Sequence, residues 1–213
     1  MVSFVVAEPV GQHEAPSPSV EPSSILARLR LETRSEHDAV ERVLDVMGVS
    51  LTLEGYRHRL EQFYGFYAPL EKALQARELT LSPATHAALV ARLKKTALLR
   101  QDLEHLGARI QALPLCRNLP STLTQAEVLG CVYVMEGATL GGRIITQHIR
   151  ASLGITPTTG GSFFDGYGDA TGAMWQSMRH LLVSSSSDTR TENTIVANAI
   201  TTFACLRAWF ETV

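Results

Sequence analysis

Apolar residues recur at intervals of three and four along almost the whole of residues 25–211, and no stretch alternates with period two long enough to make a strand. That property confines the chain to an all-α fold, a bundle in which each helix buries one stripe. The first run places Leu26, Leu29, Thr33, His37, Val40, Leu44 and Met47 on one stripe, with Ser23 or Ser24 as its N-cap and Gly48 as its end. Thr52 opens a second run with Leu60, Phe63, Tyr64, Tyr67, Leu70 and Leu74 inward, in which Pro69 predicts a kink or an early break. Ser82-Pro83 is a cap followed by proline at the first helical position, leading a helix through Leu89, Leu93 and Leu98 to near Gly107. Pro114 and Pro120 bracket a loop, and Thr124 begins a long helix to about Gly154. Thr158–Gly168 is glycine-rich and reads as a loop, before helices over about 171–183 and 188–211. There is no internal repeat.

A chain of 213 residues with 45% hydrophobic side chains can fill a single core. The domain is expected over 23–213. Residues 1–22 hold four of the nine prolines and no helical period, and read as a flexible leader. A net charge of −2 offers no concentrated basic face, so nucleic acid is not an expected partner. The apolar runs are too short and too interrupted to span a bilayer, and Met1–Val10 lacks the basic start and long apolar stretch of a secretory signal. Cys116, Cys131 and Cys205 form no C-x-x-C pair, which argues against structural zinc and against covalent haem attachment. Three scattered thiols suit a reduced, cytoplasmic chain.

His37 stands in the middle of an apolar stripe. Glu41, one turn on, can accept the N–H of whichever ring nitrogen does not bind a metal. Arg30 lies two turns earlier on the same face, about 10 Å away. A histidine so placed is either a hydrogen-bonded core residue or a ligand.

The run Tyr133-Val-Met-Glu-Gly137-Ala-Thr-Leu-Gly141-Gly142-Arg143 falls inside an otherwise helical, buried pattern. Three glycines in six positions cost about 1 kcal/mol each relative to alanine, so something must compensate. Another helix packed closely would do so, and so would a flat ligand lying against bare backbone. Tyr133, Gly137 and Gly141 share a face at four-residue intervals, which suits a planar ring, and spacing alone leaves both readings open. The run lacks the ending of a phosphate loop, and neither it nor Gly166-Tyr-Gly168 follows a strand, so no flavin or nicotinamide site is expected. A di-iron bundle needs two Glu-x-x-His pairs, and the nearest approach is a single Asp102-x-x-His105.

Leu29-Arg30-Leu-Glu-Thr33-Arg-Ser-Glu-His37-Asp-Ala-Val-Glu41 resembles the proximal helix of haem oxygenases, and the glycine run resembles their kinked distal helix. The string from Tyr133 to Gly142 is most similar to the bacterial enzymes that accompany bacterial phytochromes. The resemblance continues through Trp175–Arg179 and Thr202–Phe210, covering roughly residues 25 to 213. It implies a single-domain, multi-helix bundle with haem b held between the two helices as both cofactor and substrate. It further implies molecular oxygen, a reductase or ferredoxin as electron donor, and biliverdin, iron(II) and carbon monoxide as products, with a bacterial phytochrome as a candidate recipient.

Residue by residue, the resemblance makes His37 the axial iron ligand, Glu41 its orienting partner and Thr33 part of the same helix's haem face. Tyr133, Gly137, Gly141 and Gly142 become the distal wall, with the three glycines as its catalytic part. Arg30 and Arg179 pair with the propionates. Phe203 and Phe210 close the pocket, although plain core packing explains them equally well. Ala138 stands where animal enzymes place a distal aspartate, which leaves the source of protons unassigned; Glu136 and Thr139 are nearby but read as structural or solvent-facing. A non-catalytic haem-binding protein on the same scaffold is the rival from another class. A thiaminase-type hydrolase on a related fold would leave the Arg30, His37 and Glu41 set unexplained.

Overall fold

A computed structural model describes residues 24–44, 46–48, 50–77 and 80–212. The leader expected over 1–22 lies outside the described residues. Among those described there is no strand, and the chain is a single bundle of α-helices. In order these are α1 (Ile25–Glu32), α2 (Arg34–Leu44), α3 (Leu53–Gln75), α4 (Pro83–Val90), α5 (Lys95–His105), α6 (Gln125–Leu140), α7 (Gly142–Leu153), α8 (Ser162–Asp165), α9 (Thr171–Ser185) and α10 (Thr189–Thr212).

Local chemistry accounts for most helix starts. Ser24 accepts a hydrogen bond from the Ala27 N–H, Ser82 caps α4 ahead of Pro83, and Thr124 and Glu127 form a reciprocal capping box. Gly154 ends α7 at φ +70°, a conformation glycine adopts without strain.

Three expected helices differ in extent. The first divides at Thr33, where the backbone N–H and the hydroxyl both donate to Leu29 O. It ends at Leu44, short of Gly48. The run after Ser82 divides over Ala91–Lys94, where Glu71 of α3 accepts the N–H groups of Lys95 and Thr96 and so starts a new helix. The helix from Thr124 breaks at Gly141 with a 44° bend. Pro69, by contrast, neither ends nor divides α3, which runs unbroken through it with Tyr67 and Leu70 fully buried around it. The glycine-rich 158–168 segment contains the short helix α8, held because Asp102 of α5 accepts the N–H groups of Ser162 and Phe163 at 2.9 and 2.7 Å.

The architecture that matters for function is set by α10. It packs extensively on α6 and on α2, whereas α2 and α6 barely meet. Gly130 explains how closely α10 can approach α6, since a Cβ there would lie 2.6 Å from Ile195 O and 2.9 Å from Ala199 N. Asn198 completes the contact, donating to Glu127 O at 2.6 Å and to Cys131 Sγ at 3.2 Å. None of the three cysteines is in a disulfide. No single helix among the described residues is long and apolar enough to cross a membrane.

Candidate functional site

Because α10 packs on both α2 and α6 while these two barely meet, a cleft is left between them. It encloses about 690 Å³ of space between the atoms, part of it open to solvent. From α2 it is lined by His37, Val40, Glu41 and Leu44, from α6 by Val134, Met135, Ala138 and Thr139, and from α10 by Phe203 and Leu206. Apart from His37, Glu41, Thr139 and Lys95, the deeper walls are aliphatic or aromatic, including Phe63, Phe163 and Phe164.

His37 is only partly covered, with 27% of its side chain exposed. Its Nδ1 lies 3.6 Å from Asp38 Oδ1 and 3.8 Å from Glu41 Oε1. The two carboxylates stand on the Nδ1 side of the ring and leave Nε2, across the ring, clear of them. Phe203 packs edge-on to the imidazole at 5.6 Å and limits its rotation. Donor atoms of His37, Asp38 and Glu41 all lie within 4.8 Å of one another, so the trio could also gather around a small cation. The carboxylates meet the imidazole at Nδ1, however, and the cleft adjoins the ring, which fits an orienting role for the anions better.

Of the alternatives for the glycine run, the structure favours a different one at each position. Gly142 is a packing glycine: a Cβ there would overlap the Phe164 carbonyl oxygen, so α8 presses on bare backbone. Gly141 is the residue at which α6 gives way to α7. Gly137 is otherwise, since a Cβ built on it meets nothing within 4 Å. Gly130 and Gly137 are seven residues apart and share a stripe of α6; α10 fills the space over the first and is absent from the second. Gly137 adjoins Ala138, which lines the cleft from α6.

The remaining sequence-derived residues fall into two groups. Thr33, Arg30, Tyr133 and Arg179 lie beyond the cleft wall, toward α1 and α9, which pack on each other. Tyr133 is not part of the lining; its ring packs on Trp175 at 5.9 Å. Burial pushes its phenol up, against the opposing effects of the Thr33 hydroxyl and the Arg30 guanidinium nearby. Arg30 is exposed and Arg179 half-buried. Phe210 packs on Phe63 at 4.9 Å within an aromatic cluster, the core role that was its alternative, while Phe203 faces the cleft.

A buried polar network behind α6 was not anticipated. Glu136, read from the sequence as structural or solvent-facing, is 1% exposed and accepts a hydrogen bond from the Tyr167 hydroxyl at 2.8 Å. Arg92, 3% exposed, faces it at 3.3 Å, and Lys95, 1% exposed, at 3.9 Å. Lys94-Lys95 reads in sequence as an ordinary solvated pair, and no pattern there marks the second as buried.

A helical bundle with an imidazole on one wall of an apolar cleft, and on the other a helix offering small and aliphatic side chains next to a bare glycine, is a construction that suits a flat metal macrocycle. The residues present fit haem: a nitrogen donor with its second nitrogen engaged by anions, an aromatic neighbour, and backbone at Gly137 against which no side chain stands. Comparison agrees with that class. The family model described as Heme oxygenase matches residues 23–212, and the chain belongs to that family. Haem oxygenase from Leptospira interrogans is 21% identical, with a TM-score of 0.71 over 89% of this chain and 100% of that one. The NO- and CO-bound haem oxygenase from Neisseria meningitidis is 20% identical, with a TM-score of 0.69 over 89% and 94%. Haem oxygenase 2 from Chlamydomonas reinhardtii, solved without haem, is 18% identical, with a TM-score of 0.70 over 89% and 97%. No curated protein sequence matches the chain.

Proposed function

We propose that this chain binds haem b between α2 and α6 and, with molecular oxygen and electrons from an external reductase or ferredoxin, opens it to biliverdin, releasing iron(II) and carbon monoxide. The observation that carries the reading is the cleft itself, with His37 on one wall, Val134, Met135, Ala138 and Thr139 of α6 on the other, and the uncovered Gly137 beside them in the same helix. Bound there, haem supplies the redox chemistry by which oxygen cleaves its own ring.

The protein's share of the work follows from its residues. His37 offers Nε2 to the iron, and Glu41 keeps the proton on Nδ1, so the imidazole binds as a neutral ligand of fixed orientation. Phe203 supports the ring edge. No second strong donor projects from α6 at Gly137 or Ala138, which leaves the opposite side to a small molecule. Leu44, Val134, Phe163 and Phe164 keep bulk water from the interior. Arg30 and Arg179, on α1 and α9 beyond the cleft wall, are the residues that the sequence resemblance pairs with the propionates; a guanidinium matches a carboxylate in two-point geometry. Delivery of the product to a bacterial phytochrome is supported by the sequence resemblance alone.

The test is to add haem to the full chain, then a reductant and oxygen. A Soret band that forms and then decays, with a linear tetrapyrrole recovered by chromatography, is the expected result. Stable haem uptake with no decay would leave a haem-binding protein, and no uptake would end the haem reading.

A further inference from the structure

One buried charge has no task in this scheme. Lys95 is 1% exposed and lines the cleft, and its Nζ has no hydrogen-bond partner among the described residues. Glu136 Oε1 lies 3.9 Å from it, beyond hydrogen-bonding distance, and is already taken by the Tyr167 hydroxyl at 2.8 Å. The Tyr167 ring centre is 4.8 Å from the amine. An ammonium has three donors to satisfy, and burying one with none of them used is costly. The fold nevertheless pins it. The Lys95 and Thr96 N–H groups donate to the Glu71 carboxylate at 2.7 and 3.1 Å, which ties the start of α5 to α3.

The opposite wall lacks an acid of its own. Ala138 contributes a methyl group, and the Thr139 hydroxyl donates back to Glu136 O at 2.6 Å. Among the side chains that line the cleft, Lys95 is thus the one whose buried donor has no hydrogen-bond partner among the described residues, and it lies 3.9 Å from Glu136 of α6.

We propose that Lys95 is the proton donor of this cleft, its Nζ serving the oxygen chemistry on the side of haem away from His37, with Glu136 as the residue that positions it. The inference rests on the functional reading above. Ring opening consumes protons together with the donor protein's electrons. In the step proposed, an Nζ–H bond breaks, an O–H bond forms on oxygen being reduced by that donor, and the neutral amine regains a proton from water entering at the cleft mouth. The groups facing Nζ are Glu136 of α6, Glu71 of α3, Arg92 and Lys94 of the preceding turn, and Tyr167 after α8. Burial pulls the ammonium down to about 8, against the two carboxylates and with the help of Lys94 and Arg92. A donor is most effective when its affinity for the proton lies near the working pH.

The chain contains three lysines, Lys72, Lys94 and Lys95, so labelling lysine Cε with carbon-13 in the full-length protein gives three signals. Without haem, one signal should titrate near pH 8 and be the one missing from Lys95→Arg. Loading with ferric haem, verified by its Soret band, should broaden that signal more than the other two, because it lies nearest the unpaired electrons. Lys95→Met should raise the acid–alkaline midpoint of the ferric complex by about one pH unit, since a lost positive charge disfavours hydroxide. Lys95→Arg should restore most of the shift. Absence of a Soret band overturns the functional reading. A Soret band accompanied by a Lys95 signal no more broadened than that of Lys72, or an unmoved midpoint in Lys95→Met, overturns the role of the lysine alone. Should Lys95→Met fail to fold, the broadening experiment on the unmutated chain decides.

Discussion

Replacing Gly137 by alanine separates folding from ligand binding more cleanly than any other change to the cleft. In a helix interior alanine is favoured over glycine by about 1 kcal/mol. A Cβ at 137 meets no atom within 4 Å, so no steric penalty offsets that gain. The haem-free variant should therefore melt higher, by about 2–4 °C for a domain of this size. Haem should bind worse, because the new methyl occupies the space into which the macrocycle is to lie. An overpacking cost of about 1–3 kcal/mol corresponds to a fall in affinity of roughly five- to 150-fold. Gly142→Ala is the control with the opposite sign. Its Cβ overlaps the Phe164 carbonyl oxygen, so α8 must move and the haem-free protein should melt lower. Thermal unfolding followed by circular dichroism and haem titration at the Soret band measure both quantities on the same samples. A Gly137→Ala protein that is destabilised, or that binds haem within twofold of the parent, refutes the assignment of that face to the ligand.

Three further outcomes are expected. His37→Ala should leave the haem-free fold intact, since the side chain is partly exposed and its contacts are to Asp38, Glu41 and Phe203, but should abolish the imidazole-bound haem spectrum; an unchanged spectrum would place the ligand elsewhere. The Lys95 ammonium is lowered from 10.5 to about 8, so the folded chain sheds a proton before the unfolded chain does. Stability relative to Lys95→Met should accordingly rise between about pH 8 and 10.5, by at most about 3 kcal/mol, and be flat below pH 7; urea unfolding at several pH values tests the sign. Asp102→Asn removes an acceptor from the Ser162 and Phe163 N–H pair and should cost about 1–3 kcal/mol, with faster hydrogen exchange at Phe163 as its signature.

Much of the bundle is legible in the sequence because its signals are local. Ser24, Ser82 and Thr124 announce helix starts by side-chain chemistry that depends on neighbours three residues away. The divisions at Thr33 and over Ala91–Lys94 carry no glycine or proline. The second depends on Glu71, some twenty residues earlier, capping a helix it does not belong to. The glycines teach the same lesson. Gly130, Gly137 and Gly142 are alike in sequence, yet one faces α10, one faces open space and one faces α8. What a missing side chain is for depends on what stands opposite, and that is a tertiary fact. His37 and Glu41 could be singled out because a titratable pair at helical spacing interrupts an apolar stripe. Lys95 could not, since a cation beside another cation resembles surface until the fold buries it.

The order in which the walls are synthesised has its own implication. Both α2 and α6 leave the ribosome well before α10, yet only α10 supplies the floor that holds them at a fixed separation. A nascent chain paused before residue 195 has an imidazole and a glycine-bearing helix but no shared support to set the distance between them. On the proposed function, loading follows the synthesis of α10, and the sequence order of the helices works against earlier capture of a reactive pigment.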